Sequence, residues 1–213
     1  MNPDMENYLR PTPVIDCDHP SIREKSQHLT RGQDDTTEKA KCLFYFVRDE
    51  IRYNFYPSSS PPEELFRASN TLSVGEGFCI PKAILLVALA RAAGIPAALG
   101  FADIRNHLLP EKVVELLGTN VIRLHGYAVL YLEGKWVKAT PAFDLSMCEE
   151  NRFVPVVFDG KSDAMLLSHD RDGRLHIEYL KVLGHYYDDI QPDRLVDALM
   201  QGFEGKSFES PER

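Results

Sequence analysis

The run K-A-I-L-L-V-A-L-A-R-A-A-G, residues 82–94, would place apolar side chains almost all around a helix of that length. Such a helix has no wet face, so the rest of the chain must enclose it. Gly94 suits the left-handed position just past a helix, and Pro96 prevents any continuation. The run follows G-E-G-F-C-I-P, where Pro81 fits the first turn and Gly75 and Gly77 let other groups come close to the backbone. A chain of 213 residues is long enough to bury this helix within one domain, and we expect a single domain over 1–213. The longest unbroken apolar stretch, Ala83–Ala90, is too short to span a bilayer.

Around that helix the chain divides by pattern. Residues 1–35, punctuated by Pro11, Pro13 and Pro20, read as an extended N-terminal arm with room for one short helix. Residues 36–118 read as mainly helical. Asp35 caps the first helix, Glu38 sits three residues on, and Leu43, Phe46 and Val47 recur on one face to about Glu50. Ile51–Phe55 alternates as a short strand, Ser60 and Pro61 open a small helix, and Pro110 and Gly118 bracket a helix over Glu111–Leu117. From 119 to 190 the pattern becomes that of strands. H-G-Y-A-V-L-Y-L, the turn E-G and K-W-V-K-A-T form a hairpin; Val154–Phe158 and Ile177–Leu183 read as further strands, the latter after the turn D-R-D-G-R. A helix over Arg194–Phe203 and a tail complete residues 191–213. Helices followed by strands predict an α+β fold with an antiparallel sheet.

The composition narrows the function. A net charge of −8 disfavours nucleic acid and anionic membranes as partners. Cys17, Cys42, Cys79 and Cys148 are scattered, which fits a reducing compartment, and the acidic N-terminus lacks the features of a signal peptide. Cytoplasmic location is therefore expected. Cys17-Asp18-His19, with Cys148 or His169, lacks zinc-site spacing; the acidic turns lack calcium-loop spacing; no phosphate or dinucleotide loop is present. No metal or cofactor is expected.

The chemistry is expected at Cys79. Free amide groups and the positive end of the helix dipole favour a thiolate there. His125, starting the first hairpin strand, is the candidate base, and Asp144, after the second, the candidate group to orient it. Arg105-Asn106-His107 reads as a polar loop between the nucleophile helix and the His125 strand, able to cap the next helix or to reach the cleft.

The block G-E-G-F-C-I-P through R-A-A-G-I-P resembles the nucleophile segment of the transglutaminase-like superfamily. H-G-Y-A-V-L-Y-L-E-G-K-W-V-K-A-T-P-A-F-D resembles its His strand, turn, Trp strand and acid segment, and together the likeness covers about 36–145. The resemblance implies a papain-like core, a buried nucleophile helix on an antiparallel sheet, and thiol-based acyl chemistry through a Cys–His–Asp triad. Carried over by position, Cys79 is the nucleophile and His125 the base. Tyr127 stands where the family commonly has Trp, and Thr140 stands four residues after Trp136, in the usual slot of the acid. The nearest acid is Asp144, and Pro141 predicts a break that swings it back toward His125. The expected activity is hydrolysis of an amide in a protein, peptide or small molecule. Acyl transfer from an amide or thioester, and a catalytically silent binding scaffold, are the alternatives.

Overall fold

The computed structural model describes residues 3–55, 62–186 and Leu195. In chain order its elements begin with α1 (Pro3–Glu6), a 3-10 turn (Asn7–Leu9), α2 (Pro20–Leu29), α3 (Thr36–Glu50) and β1 (Arg52–Tyr53). Next come α4 (Pro62–Leu65), α5 (Ala68–Val74), β2 (Glu76–Gly77), α6 (Cys79–Ala92) and β3 (Ala97–Asn106). The chain continues through α7 (Glu111–Leu117), β4 (Val121–Leu132), β5 (Lys135–Ala139), α8 (Leu145–Asn151) and β6 (Ile177–Tyr186).

The apolar run forms α6, and every residue from Cys79 to Arg91 is buried. α2, α3 and α5 pack against it from one side, and β3 and β4 from the other. Its two charged residues are satisfied by carbonyls. Lys82 Nζ donates to the carbonyls of Arg48 and Ile51, closing the C-terminal end of α3, and Arg91 Nε donates to Ala97 O. A buried ammonium without such partners would cost several kcal/mol, on the order of 3–5. Asp35 caps α3 as expected, accepting from Glu38 N–H at 2.9 Å.

The main sheet has the order β5-β4-β3-β6, with every pair antiparallel. The β4–β5 hairpin turns through Glu133 (φ 48°) and Gly134 (φ 85°), the positive pair a two-residue hairpin loop needs. Tyr127 lies across Gly100 on the paired strand, where an added Cβ would come within 2.3 Å of its ring. Glycine at 100 thus makes room for the Tyr127 ring. A second, parallel pairing joins β1 to β2 and ties the segment after α3 to the approach to Cys79.

Several expectations are corrected. The arm holds α1 and a 3-10 turn as well as α2, a helix of ten residues capped by His19. β3, in the middle of the sheet, has no counterpart in the sequence reading, and Arg105 and Asn106 end it rather than lie in a loop. Val154–Phe158 is extended but forms no ladder; Pro155 lacks a donor, and the segment is pinned instead by Arg48 Nη1 on Val156 O and by Tyr45 Oη, which exchanges hydrogen bonds with Phe158. Ser60 and Pro61 lie outside the described residues, as does the helix expected over 194–203 apart from Leu195, which is helical and buried.

Candidate active site

Cys79 is the first residue of α6, and its N-cap, Phe78, offers no side-chain acceptor to the free amides. Lys82 N–H closes the first turn on Phe78 O. The amides of Gly126, Ile80 and Cys79 itself bear on the sulfur and favour its thiolate. β4 reaches the helix here because residue 126 has no side chain: an added Cβ would stand 3.0 Å from Ile80 Cα. That close approach brings His125 to the same cavity as Cys79.

Cys79 and His125 line one cavity of about 20 Å³, with Tyr53, Ile104, Ile122 and Phe143 among its walls. That volume holds roughly one water. Cys79 is 6% exposed and His125 2%. Desolvation in these apolar walls holds the imidazole down at about 4 and pushes the thiol up to about 11, despite the amides that oppose the latter. The lowered thiol pKa expected from the helix N-terminus is therefore reversed, because loss of water outweighs the amides and dipole. Both groups are neutral near pH 7. Cys17 and Cys148 are also buried, whereas Cys42 is partly exposed.

The group on the imidazole is Thr140. Its Oγ1 lies 3.0 Å from His125 Nε2. Asp144 is engaged elsewhere: Oδ1 accepts from Met147 N at 2.8 Å, capping α8, and Oδ2 accepts from Tyr53 N at 2.7 Å. The expected swing at Pro141 does not bring the carboxylate to His125, because Thr140 continues the path of β5 by donating its N–H to Ala164 O. Asp144 instead ties β1 to α8, both of which border the cavity's approach.

Of the other candidates, Asn106 joins the cavity wall, while Arg105 and His107 pair with Glu178 on β6. Cys17 Sγ points to Leu9 O, and His19 accepts from Ser21 N. Among the described residues no three His, Cys, Asp or Glu side chains gather as a metal site. Tyr53, Ile104, Ile122 and Phe143 were not foreseen as site residues, and no chemical signal in apolar side chains would have marked them.

A wider cleft of about 440 Å³ adjoins the cavity and shares Tyr53, Phe55, Asn106, Leu109 and Phe143 with it. Behind it His176 stacks on Phe153 and Phe143, with ring centroids 3.9 and 5.8 Å away. Its Nε2 is buried without a partner, and burial holds this imidazole also at about 4. In the unfolded chain both histidines return to near 6.5, so their neutral burial favours the fold fully above that pH. The contribution drains away as the pH falls toward 4, by on the order of 3 kcal/mol for each imidazole. Urea midpoints are expected to fall between pH 7 and 4. His176→Phe should flatten that slope by about half; an unchanged slope would remove His176 from the acid response.

The transglutaminase-like superfamily model matches residues 23–141. The chain belongs to that superfamily. Among solved structures, a candidate cysteine protease from Cytophaga hutchinsonii is 17% identical, with a TM-score of 0.53 over 87% of this chain and 55% of that one. The periplasmic domain of TgpA from Pseudomonas aeruginosa is 19% identical, with a TM-score of 0.46 over 66% of this chain and 48% of that one. The chain thus spans about half the length of these structures. No curated protein matches it. Among the described residues no helix is long and apolar enough to cross a membrane.

Proposed function

We propose that this protein is a cytoplasmic thiol hydrolase that cleaves amide bonds next to a large apolar side chain. The observation that carries the reading is the meeting of Cys79, at the start of α6, with His125 in one nearly dry cavity. In the tautomer this reading requires, His125 carries its proton on Nε2 and donates it to Thr140 Oγ1, 3.0 Å away, leaving the Nδ1 lone pair for the thiol proton. As Cys79 Sγ bonds to the carbonyl carbon, that proton passes to Nδ1. The oxyanion takes a hydrogen bond from the Cys79 amide. Collapse breaks the C–N bond, His125 returns the proton to the leaving amine, and a thioester remains on Cys79. Water, losing a proton to His125, then releases the carboxylic acid and restores the thiol.

The substrate preference follows from the cleft beside the cavity. Phe55, Leu108, Leu109, Phe143, Met147 and Phe153 are among its walls. Its volume, about 440 Å³, is that of a small-ligand pocket and accepts an aromatic or long aliphatic group. An otherwise identical peptide bearing Phe or Leu beside the scissile amide should be cleaved at least ~10-fold faster than one bearing Gly, which buries no side chain against these apolar walls.

The test separates hydrolysis from transfer. Peptides are incubated with the protein, with and without a primary amine, and products are identified by mass spectrometry. The reading expects a free carboxylic acid in both cases and a preference for the apolar peptides. A new amide formed with the amine, in preference to the acid, would show acyl transfer. Substrate binding without turnover would show a silent scaffold.

A further inference from the structure

His125 reaches the cavity through an irregularity in β4. Ala102 on β3 pairs with His125, and Ile104 pairs with Ile122. Between these pairs β3 supplies one residue, Asp103, and β4 supplies two, Arg123 and Leu124. This is a bulge, and it changes which side each residue faces. In a regular strand, residues 122 and 125 would point to opposite faces, since side chains alternate with period two. Here Ile122, His125 and Ile104 all line the same cavity.

The bulge is strained and it is clamped. Leu124, immediately before His125, has φ 56°, a left-handed conformation that a non-glycine residue adopts at a cost of about 1–2 kcal/mol. Asp103 is buried, with Oδ1 accepting from Leu124 N at 3.2 Å and Oδ2 from Arg123 Nη1 at 2.6 Å. One carboxylate thus holds both residues of the bulge. β6 also shifts register against β3 between Asp103 and Ile104, so the neighbouring strand adjusts at the same point.

We infer that Asp103 is a positioning residue for the active site: its carboxylate fixes the Arg123–Leu124 bulge that turns His125 toward Cys79. It touches neither the thiol nor the substrate and acts by fixing the parity of β4. The Leu124 amide bond carries this function, and the Arg123 ion pair is secondary, because Arg123 is partly exposed. Bulges beside active sites re-aim side chains in this way.

The inference rests on the Cys79–His125 reading, and the experiment separates the two. Alkylation of Cys79 by iodoacetamide is followed by site-resolved mass spectrometry from pH 5 to 11, in a Cys42→Ser background, with folding checked by circular dichroism. In the parent protein, His125 assists alkylation near neutral pH, and His125→Ala removes that component. Asp103→Ala should lower the neutral rate by about 10–100-fold and leave only the limb governed by the unassisted thiol, as misplacement by an ångström predicts. Asp103→Asn keeps an acceptor for Leu124 N–H and should stay within about threefold of the parent. Arg123→Met, which keeps the Leu124 bond, should do the same. If Asp103→Ala does not fold, Asp103→Ser, too short to hold both donors, is judged by the same pH profile. An effect of His125→Ala with parent-like profiles for Asp103→Ala or Asp103→Ser would overturn the positioning role. No effect of His125→Ala would overturn the site reading itself.

Discussion

Replacing His125 with alanine is expected to slow acyl-enzyme formation at pH 7 by about 10²–10⁴-fold, with the fold retained. The size of the effect follows from burial. With the thiol held up at about 11, the thiolate fraction at pH 7 is only on the order of 10⁻⁴. The imidazole, held down at about 4, is neutral there and free to accept a proton. Attack therefore needs His125 to remove the proton as the S–C bond forms, rather than a thiolate already present. His125→Ala leaves only the rare thiolate. Its residual activity should climb with pH by about tenfold per unit up to the thiol pKa, where the parent profile is flatter. Stopped-flow measurement of acylation from pH 6 to 10 checks both the rate and the slope. A residual rate independent of pH would contradict a thiol held neutral by burial.

The second large effect distinguishes Thr140 from Asp144. Asp144→Ala removes the N-cap of α8 and leaves Tyr53 N–H without its acceptor. A lost cap costs about 1 kcal/mol and an orphaned, part-buried amide about 1 more, so a stability loss of roughly 2 kcal/mol is expected. The acylation rate of the molecules that remain folded should change by less than about threefold. Thr140→Val should do the reverse. It keeps the shape of the side chain but removes the acceptor from His125 Nε2, lowering acylation by about tenfold with a small change in stability. Urea unfolding and single-turnover acylation on the same two variants give the comparison. A rate collapse in folded Asp144→Ala, with a parent-like Thr140→Val, would restore the carboxylate to the mechanism.

These two residues also show how far the sequence could be read. The elements that carry Cys79 and His125 were legible because each has a strong local pattern, an all-apolar helix for one and a two-stranded hairpin closed by Glu133-Gly134 for the other. The third position turned on what the chain does after Pro141. A helix N-cap and a catalytic acid present the same residue type to a sequence reader, and only the positions of Met147 N and Tyr53 N decide between them. β3 was hidden for a different reason. A-A-L-G-F-A-D-I is buried almost throughout, so it lacks the alternation that marks a half-exposed strand. Val154–Phe158 failed in the opposite sense, having strand-forming residues but being held by side chains of α3 in place of a ladder. The bulge at Leu124 left no trace in sequence at all, because positive φ in a non-glycine residue is imposed by tertiary contacts such as the Asp103 carboxylate. The low pKa expected for Cys79 failed because a sequence shows the helix end but not the walls that exclude water.

In the proposed reaction Cys79 attacks the substrate carbon with His125 as its base. An activated aryl ester of an N-acylated phenylalanine, which acylates faster than it is hydrolysed, tests it directly. The Cys42→Ser protein is mixed with the ester at pH 7, quenched in acid and digested, and the acylated peptide is sequenced by mass spectrometry. One thioester is expected, on Cys79, formed within the first turnover and lost from His125→Ala over the same interval. Acylation of another residue, or of Cys79 at the same rate with and without His125, would contradict it.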